Sequence, residues 1–207
     1  MDLEKSAKIL TEILGLKYPP IAVKFFEKVE ALDGFKLPGD RRYCQILMGA
    51  RGGQKLMLTA DNIACPAAAW ALGFKEPPPK LSSGEMPAAM GIFASPAAVR
   101  NTLATMPRLE MGKYQMVACS PLGETPFEPD VVVLESAVEH LMWVALANVF
   151  RTAAGLAKIP MAAGISPDES LRGGSLKPKA QAAAGQATLS AVSISFWPSL
   201  APMSIWQ

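Results

Sequence analysis

Three cysteines, Cys44, Cys65 and Cys119, are the side chains of this sequence best suited to covalent or metal chemistry. The thiolate is the form that attacks an electrophile or binds a soft metal. Cys65 directly precedes Pro66, and proline is favoured at the first residue of a helix. Cys65 is therefore the expected N-cap of a short helix over residues 66–72. A thiol there lies beside unpaired N–H groups at the positive end of the helix dipole, which favours the thiolate. The plain alternative, a small buried side chain, is the commoner setting for cysteine and carries more weight on the residues alone. Cys44 stands in Arg42-Tyr43-Cys44-Gln45, with Arg41 and Arg42 before it and Arg51 soon after. These cations favour a thiolate or an anionic ligand. The interval between Cys44 and Cys65 matches no compact zinc signature, which needs paired ligands such as C-x-x-C. Cys119 follows Gln115-Met116-Val117-Ala118 and reads as the end of a buried strand.

Other constellations are weaker. His140 is the single histidine, so a Ser–His or Cys–His pair must use it or not exist. It reads as part of a solvated helix face. Arg51-Gly52-Gly53-Gln54-Lys55 could wrap an anion with backbone N–H groups but is neither a Walker A nor a dinucleotide fingerprint, and reads as a plain turn. Met86, Met90, Met106, Met111 and Met116 read as core filler. No carboxylate pair is spaced for general acid–base work.

The elements that must position these residues follow from apolar spacing and breakers. Residues 2–14 predict a helix capped by Asp2 and stopped by Gly15, and Ile21 to Phe26 a strand bounded by Pro19-Pro20. A loop over 27–40 leads to a short helix from Tyr43 to Ala50, a strand from Lys55 to Thr59 and the helix 66–72 closed by Gly73. Pro77-Pro78-Pro79 predicts an extended linker. Ser95-Pro96 starts a helix running to about Met106. Strands follow at Gln115–Ala118 and Val131–Leu134, then a long helix over 135–154 ended by Gly155. Ser166-Pro167-Asp168-Glu169 reads as a further helix start with no amphipathic helix behind it. Strands interleaved with helices give a mixed α+β fold: one layered domain with a mixed sheet and flanking helices.

Composition bounds the partners. At 207 residues one domain is the better reading, spanning 1–169. A net charge of +2 excludes a phosphate-backbone binder, so no nucleic-acid partner is expected. The start Met1-Asp2-Leu3-Glu4-Lys5 lacks the basic and apolar regions of a signal peptide. Val131 to Phe150 is interrupted by Glu135, Glu139 and His140, so no membrane span is expected. An odd number of widely spaced cysteines favours reduced thiols in a cytoplasmic protein.

Several segments together carry a resemblance. Leu14-Gly15-Leu16-Lys17-Tyr18-Pro19-Pro20-Ile21-Ala22-Val23-Lys24-Phe25 resembles the opening of the uncharacterised ArCR family, domain of unknown function 169. Cys44-Gln45-Ile46-Leu47-Met48-Gly49-Ala50-Arg51-Gly52-Gly53 is similar to its first cysteine segment, and Cys65-Pro66-Ala67-Ala68-Ala69-Trp70-Ala71-Leu72-Gly73-Phe74 to its second. Pro121-Leu122 and Phe127-Glu128-Pro129-Asp130-Val131-Val132-Val133-Leu134 resemble its later strand segment. The resemblance covers about residues 10–155, and the joint order is more specific than any one segment. It implies an origin in archaea or anaerobic bacteria, and it brings no reaction with it.

The family pattern also has a Gly-Cys near its C-terminus, which this sequence lacks. Residues 170–207 contain no acidic residue, an odd composition for a folded element. Two readings stand: a disordered or loosely packed tail, or an end replaced by a frameshift between about residues 165 and 187. Back-translation of 187–207 with GC-rich codons, read in another frame, can restore a Gly-Cys flanked by acids.

The resemblance then implies that Cys44, Cys65 and a C-terminal cysteine hold an iron–sulfur cluster or another soft metal, with an open position for a small molecule or redox partner. Lys24, from its place in the first segment, is an anion contact, as are Arg42 and Arg51. The competing expectation is a non-catalytic module that holds a small anionic ligand or pigment in an apolar, Met-lined pocket.

Overall fold

A computed structural model describes residues 2–106, 108–152 and 190–196. The chain opens with α1 (Leu3–Leu14). Asp2 caps it by accepting the Lys5 N–H at 2.9 Å, and Gly15 ends it in the left-handed region at φ 56°. That conformation costs a glycine little. Strand β1 (Ile21–Phe26) follows, then α2 (Tyr43–Arg51), β2 (Leu56–Thr59) and α3 (Pro66–Ala71). Three further helices, α4 (Pro79–Ser82), α5 (Glu85–Ala89) and α6 (Pro96–Thr105), lead to β3 (Met116–Pro121). A 3-10 turn (Leu122–Glu124), β4 (Val131–Ala137), α7 (Val138–Thr152) and β5 (Ser190–Phe196) complete the described chain.

The five strands form one sheet in the order β2-β3-β1-β4-β5. The mixed α+β class stands, but every ladder in the sheet is antiparallel rather than mixed. The reason is topological. A β–α–β crossover makes β1 and β2 run in the same direction, yet β3 inserts between them and pairs with both in the opposite sense, a split β–α–β arrangement. Among the described residues parallel pairing survives as two isolated bridges, Lys36 with Leu56 and Arg41 with Ile63.

Alternation along the strands sorts the core into two layers. Ile21, Val23, Leu56, Leu58, Val117, Cys119, Val131 and Val133 face α2 and α3, packing on Tyr43, Ile46, Ala50, Ala68 and Ala69. Ala22, Val132 and Leu134 face the other way onto Leu10 and Leu14 of α1 and Leu141 of α7. Met57, Met116 and Ala118 extend that second layer. Each fully buried aliphatic side chain in these layers stabilises the fold by about 1.5–3 kcal/mol before entropy is counted.

Some expectations need correction. Glu135–Ala137 belongs to β4, not to the long helix, because it pairs with Ser190–Val192 of β5. The triple proline is not wholly a linker: Pro79 is the first residue of α4, where its missing N–H costs nothing. Met116 is buried, but Met86, Met90 and Met111 are exposed rather than core filler. The long helix's end near 154, the helix start at 166 and the tail 170–207 fall outside the described residues, apart from β5. No helix among the described residues is long and apolar enough to cross a membrane.

Candidate functional site

Two chain segments meet at the ends of α2 and α3. The Arg41 N–H donates to the Asn62 carbonyl at 2.9 Å, and the Ala64 N–H donates to the Arg41 carbonyl at 2.8 Å. Arg41 and Ile63 are thereby bridged in parallel. Cys44 follows three residues after Arg41, and Cys65 two residues after Ile63. The bridge thus sets the two cysteine-bearing segments side by side, both running into helix starts.

Asn62 holds this junction. Its Oδ1 accepts from the Thr59 N–H at 2.6 Å and from the Thr59 hydroxyl at 3.0 Å, and its Nδ2 donates to the Pro38 carbonyl at 2.9 Å. It is buried, so each of these bonds replaces water that cannot reach it. The sequence reading passed over Asn62. The available signal was Thr59-Ala60-Asp61-Asn62, a cluster of turn-forming residues between a strand and the second cysteine.

Each cysteine has a defined place. Arg42 is extended, at φ −80° and ψ 150°, and caps α2 through its N–H, which donates to Gln45 Oε1 at 2.9 Å. Cys44 is then the second residue of α2 and is half-buried. Cys65 is the N-cap of α3, with Pro66 at the first helical position, as the sequence predicts. That helix is only six residues long, so its dipole is short. Cys65 is half-buried and packs against the core layer that contains Tyr43 and Cys119. Cys119 lies inside β3 and is fully buried, which pushes its thiol far above the ordinary cysteine range. Burial likewise raises the Tyr43 phenol, and proximity to Cys119 adds to the shift. Cys119 thus sits beneath the residue that precedes Cys44, held in the protonated, unreactive form. None of the three cysteines is in a disulfide. Among the described residues no group of three or more His, Cys, Asp or Glu side chains is placed to hold a metal.

The three cationic candidates do not converge. Arg42, exposed at the start of α2, stays beside the cysteine pair. Arg51 lies at the other end of α2, seven residues or about 10 Å of helix from Cys44. Its Nη1 contacts both carboxylate oxygens of Glu135 at 2.7 Å, and its guanidinium lies 4.2 Å from the Tyr18 ring centroid. That arrangement ties α2 to β4 and to the α1–β1 turn. Lys24 lies between Ala22 and Phe26 in β1, so it faces the α1 side of the sheet, opposite the cysteines. Its Nζ is 3.3 Å from Asp130 Oδ1, while Asp130 Oδ2 accepts the Phe25 N–H at 2.8 Å. His140 is half-buried rather than on a solvated face, and its Nδ1 is 2.9 Å from the Ser136 hydroxyl.

The family model for the uncharacterised ArCR domain of unknown function matches residues 9–165. The chain belongs to the ArCR family. An uncharacterised protein of Methanocaldococcus jannaschii is 33% identical over 136 residues, covering 64% of this chain and 58% of that protein. The ArCR chain therefore aligns with less than two thirds of that relative's length. No solved structure matches it. The ArCR match takes in Cys44, Cys65, Asn62 and the bridge between their segments, and it ends before residues 170–207.

Proposed function

We propose that this ArCR protein is a cytoplasmic protein that binds a soft metal ion or an iron–sulfur cluster through Cys44 and Cys65, in a redox or cofactor-related role. The observation that carries this reading is the parallel bridge between Arg41 and Ile63, which sets the two cysteine segments side by side. Thiolates select soft metals, and two of them leave positions open for a substrate, a small thiol or a redox partner. Arg42, at the start of α2, supplies positive charge beside an anionic thiolate–metal centre. Loading the reduced full chain anaerobically with iron and sulfide, and separately with zinc, tests the reading. Bound metal that falls away in Cys44→Ser and in Cys65→Ser supports it. Absence of iron, sulfide and zinc, or metal content indifferent to both substitutions, defeats it.

A second reading, a non-catalytic module for a small anionic ligand or pigment, draws on the opposite face of the sheet. There Lys24 is half-buried, and the fully buried Ser120 hydroxyl, paired across from Ala22 on the same face, has no hydrogen-bond partner among the described residues. This reading predicts ligand content that survives both cysteine substitutions and falls in Lys24→Met.

A further inference from the structure

We infer that Cys44 and Cys65 also form a reversible intramolecular disulfide, so that thiol–disulfide exchange controls the proposed metal site. This rests on the same pairing of segments as the metal reading and adds its redox control. Residues joined by a β-bridge lie about 5 Å apart. Two extended residues carry the chain about 6.6 Å from Ile63 to Cys65. Cys44 lies three residues beyond Arg41, at the second position of α2. A disulfide needs Cα atoms about 4.4–6.8 Å apart, and the bridge holds the two segments at strand spacing two or three residues before each cysteine. Both are only half-buried, whereas Cys119 is fully buried.

The oxidant is a low-molecular-weight disulfide. One cysteine thiolate attacks a sulfur of the reagent, forms a mixed disulfide and expels one thiolate. The second cysteine thiolate then attacks the protein-bound sulfur, closes the Cys44–Cys65 bond and expels the other thiolate. Two cysteine thiols are oxidised, one external disulfide is reduced to two thiols, and the two cysteine protons end on those thiols. The oxidised pair offers no thiolate to a metal, so zinc and oxidant compete for the same sulfurs.

Glutathione disulfide added to the reduced full chain, followed by alkylation under denaturing conditions and peptide mapping, tests this. The thiol count should fall from the three of the sequence to one, with a peptide linking Cys44 to Cys65 and Cys119 left as a thiol. Zinc added first should slow closure. In Cys44→Ser the mixed disulfide on Cys65 should persist, because its resolving thiol is gone. Glutathione retained on both cysteines with no linked peptide overturns the inference, as does a link through Cys119 or between two chains. A linked peptide in a chain that takes up no metal sustains the disulfide and removes the metal reading alone.

Discussion

Arg41 and Ile63 pair in parallel outside the main ladders, through bonds of 2.9 and 2.8 Å on either side of the Arg41 peptide. This junction determines where the two half-buried thiols lie. The same crossover that leaves β1 and β2 separated by β3 brings the chain before α2 back against the chain before α3. The cysteine pair is thus a product of topology, not of local spacing.

The junction depends on Asn62. Replacing it with alanine removes the partners of the buried Thr59 N–H and of the part-buried Pro38 carbonyl. The expected cost is about 2–4 kcal/mol, read by urea denaturation. Asn62→Asp keeps the acceptor but turns a carboxylate oxygen toward the Pro38 carbonyl, so it should also destabilise at neutral pH and recover part of the loss when protonated at lower pH. A loss below about 0.5 kcal/mol in Asn62→Ala would show that the amide holds nothing in place.

Arg51 and Glu135 form the main ion pair between α2 and the sheet, both about three-quarters buried. Arg51→Met keeps most of the apolar stem but leaves the Glu135 carboxylate uncompensated and removes the contact with Tyr18. A loss of about 1–3 kcal/mol is expected. Metal uptake by the folded variant should be unchanged, since Arg51 lies at the far end of α2 from Cys44.

Two glycines differ in what a methyl group would meet. At Gly73, φ is +70° and an added Cβ would lie 2.5 Å from the Glu110 carbonyl oxygen, a backbone atom. Gly73→Ala should cost about 2–4 kcal/mol. At Gly49 the obstacle is the tip of the Leu56 side chain, which can rotate away. Gly49→Ala should cost about half as much or less. Thermal unfolding of the two variants side by side gives the order.

Stability should fall at alkaline pH. Unfolded cysteine and tyrosine release their protons near about 8.5 and 10. In the folded chain burial holds both Cys119 and Tyr43 protonated well beyond those values. Above pH about 8.5 the unfolded state therefore binds fewer protons than the folded one. The contribution of Cys119 is fully present below that pH and drains away by about 1.4 kcal/mol per unit as pH rises, with Tyr43 adding the same slope above about 10. Denaturant midpoints from pH 7 to 10.5 check the sign. In Cys119→Ala the decline should begin nearer pH 10.

The sequence disclosed most local elements because their signals are local: Asp2 and Gly15 bracket α1, Ser95-Pro96 starts α6, and Cys65-Pro66 starts α3. What it did not disclose depends on distant partners. Glu135–Ala137 reads equally well as the first turn of α7, and pairing with β5 alone makes it strand. Lys24, Arg42 and Arg51 look alike as cations near the family's motifs. Strand alternation and helix length place one across the sheet, one beside the thiols and one at the far end of α2. Asn62 escaped notice because a single amide in a turn carries no signature until Pro38 is seen beside it.

The most direct test of the central claim is X-ray absorption at the zinc edge on the reduced, zinc-loaded full chain. The account predicts a shell of two sulfur neighbours at about 2.3 Å, lost together in Cys44→Ser and in Cys65→Ser. Zinc bound through oxygen and nitrogen alone, or a sulfur shell that survives either substitution intact, would contradict it.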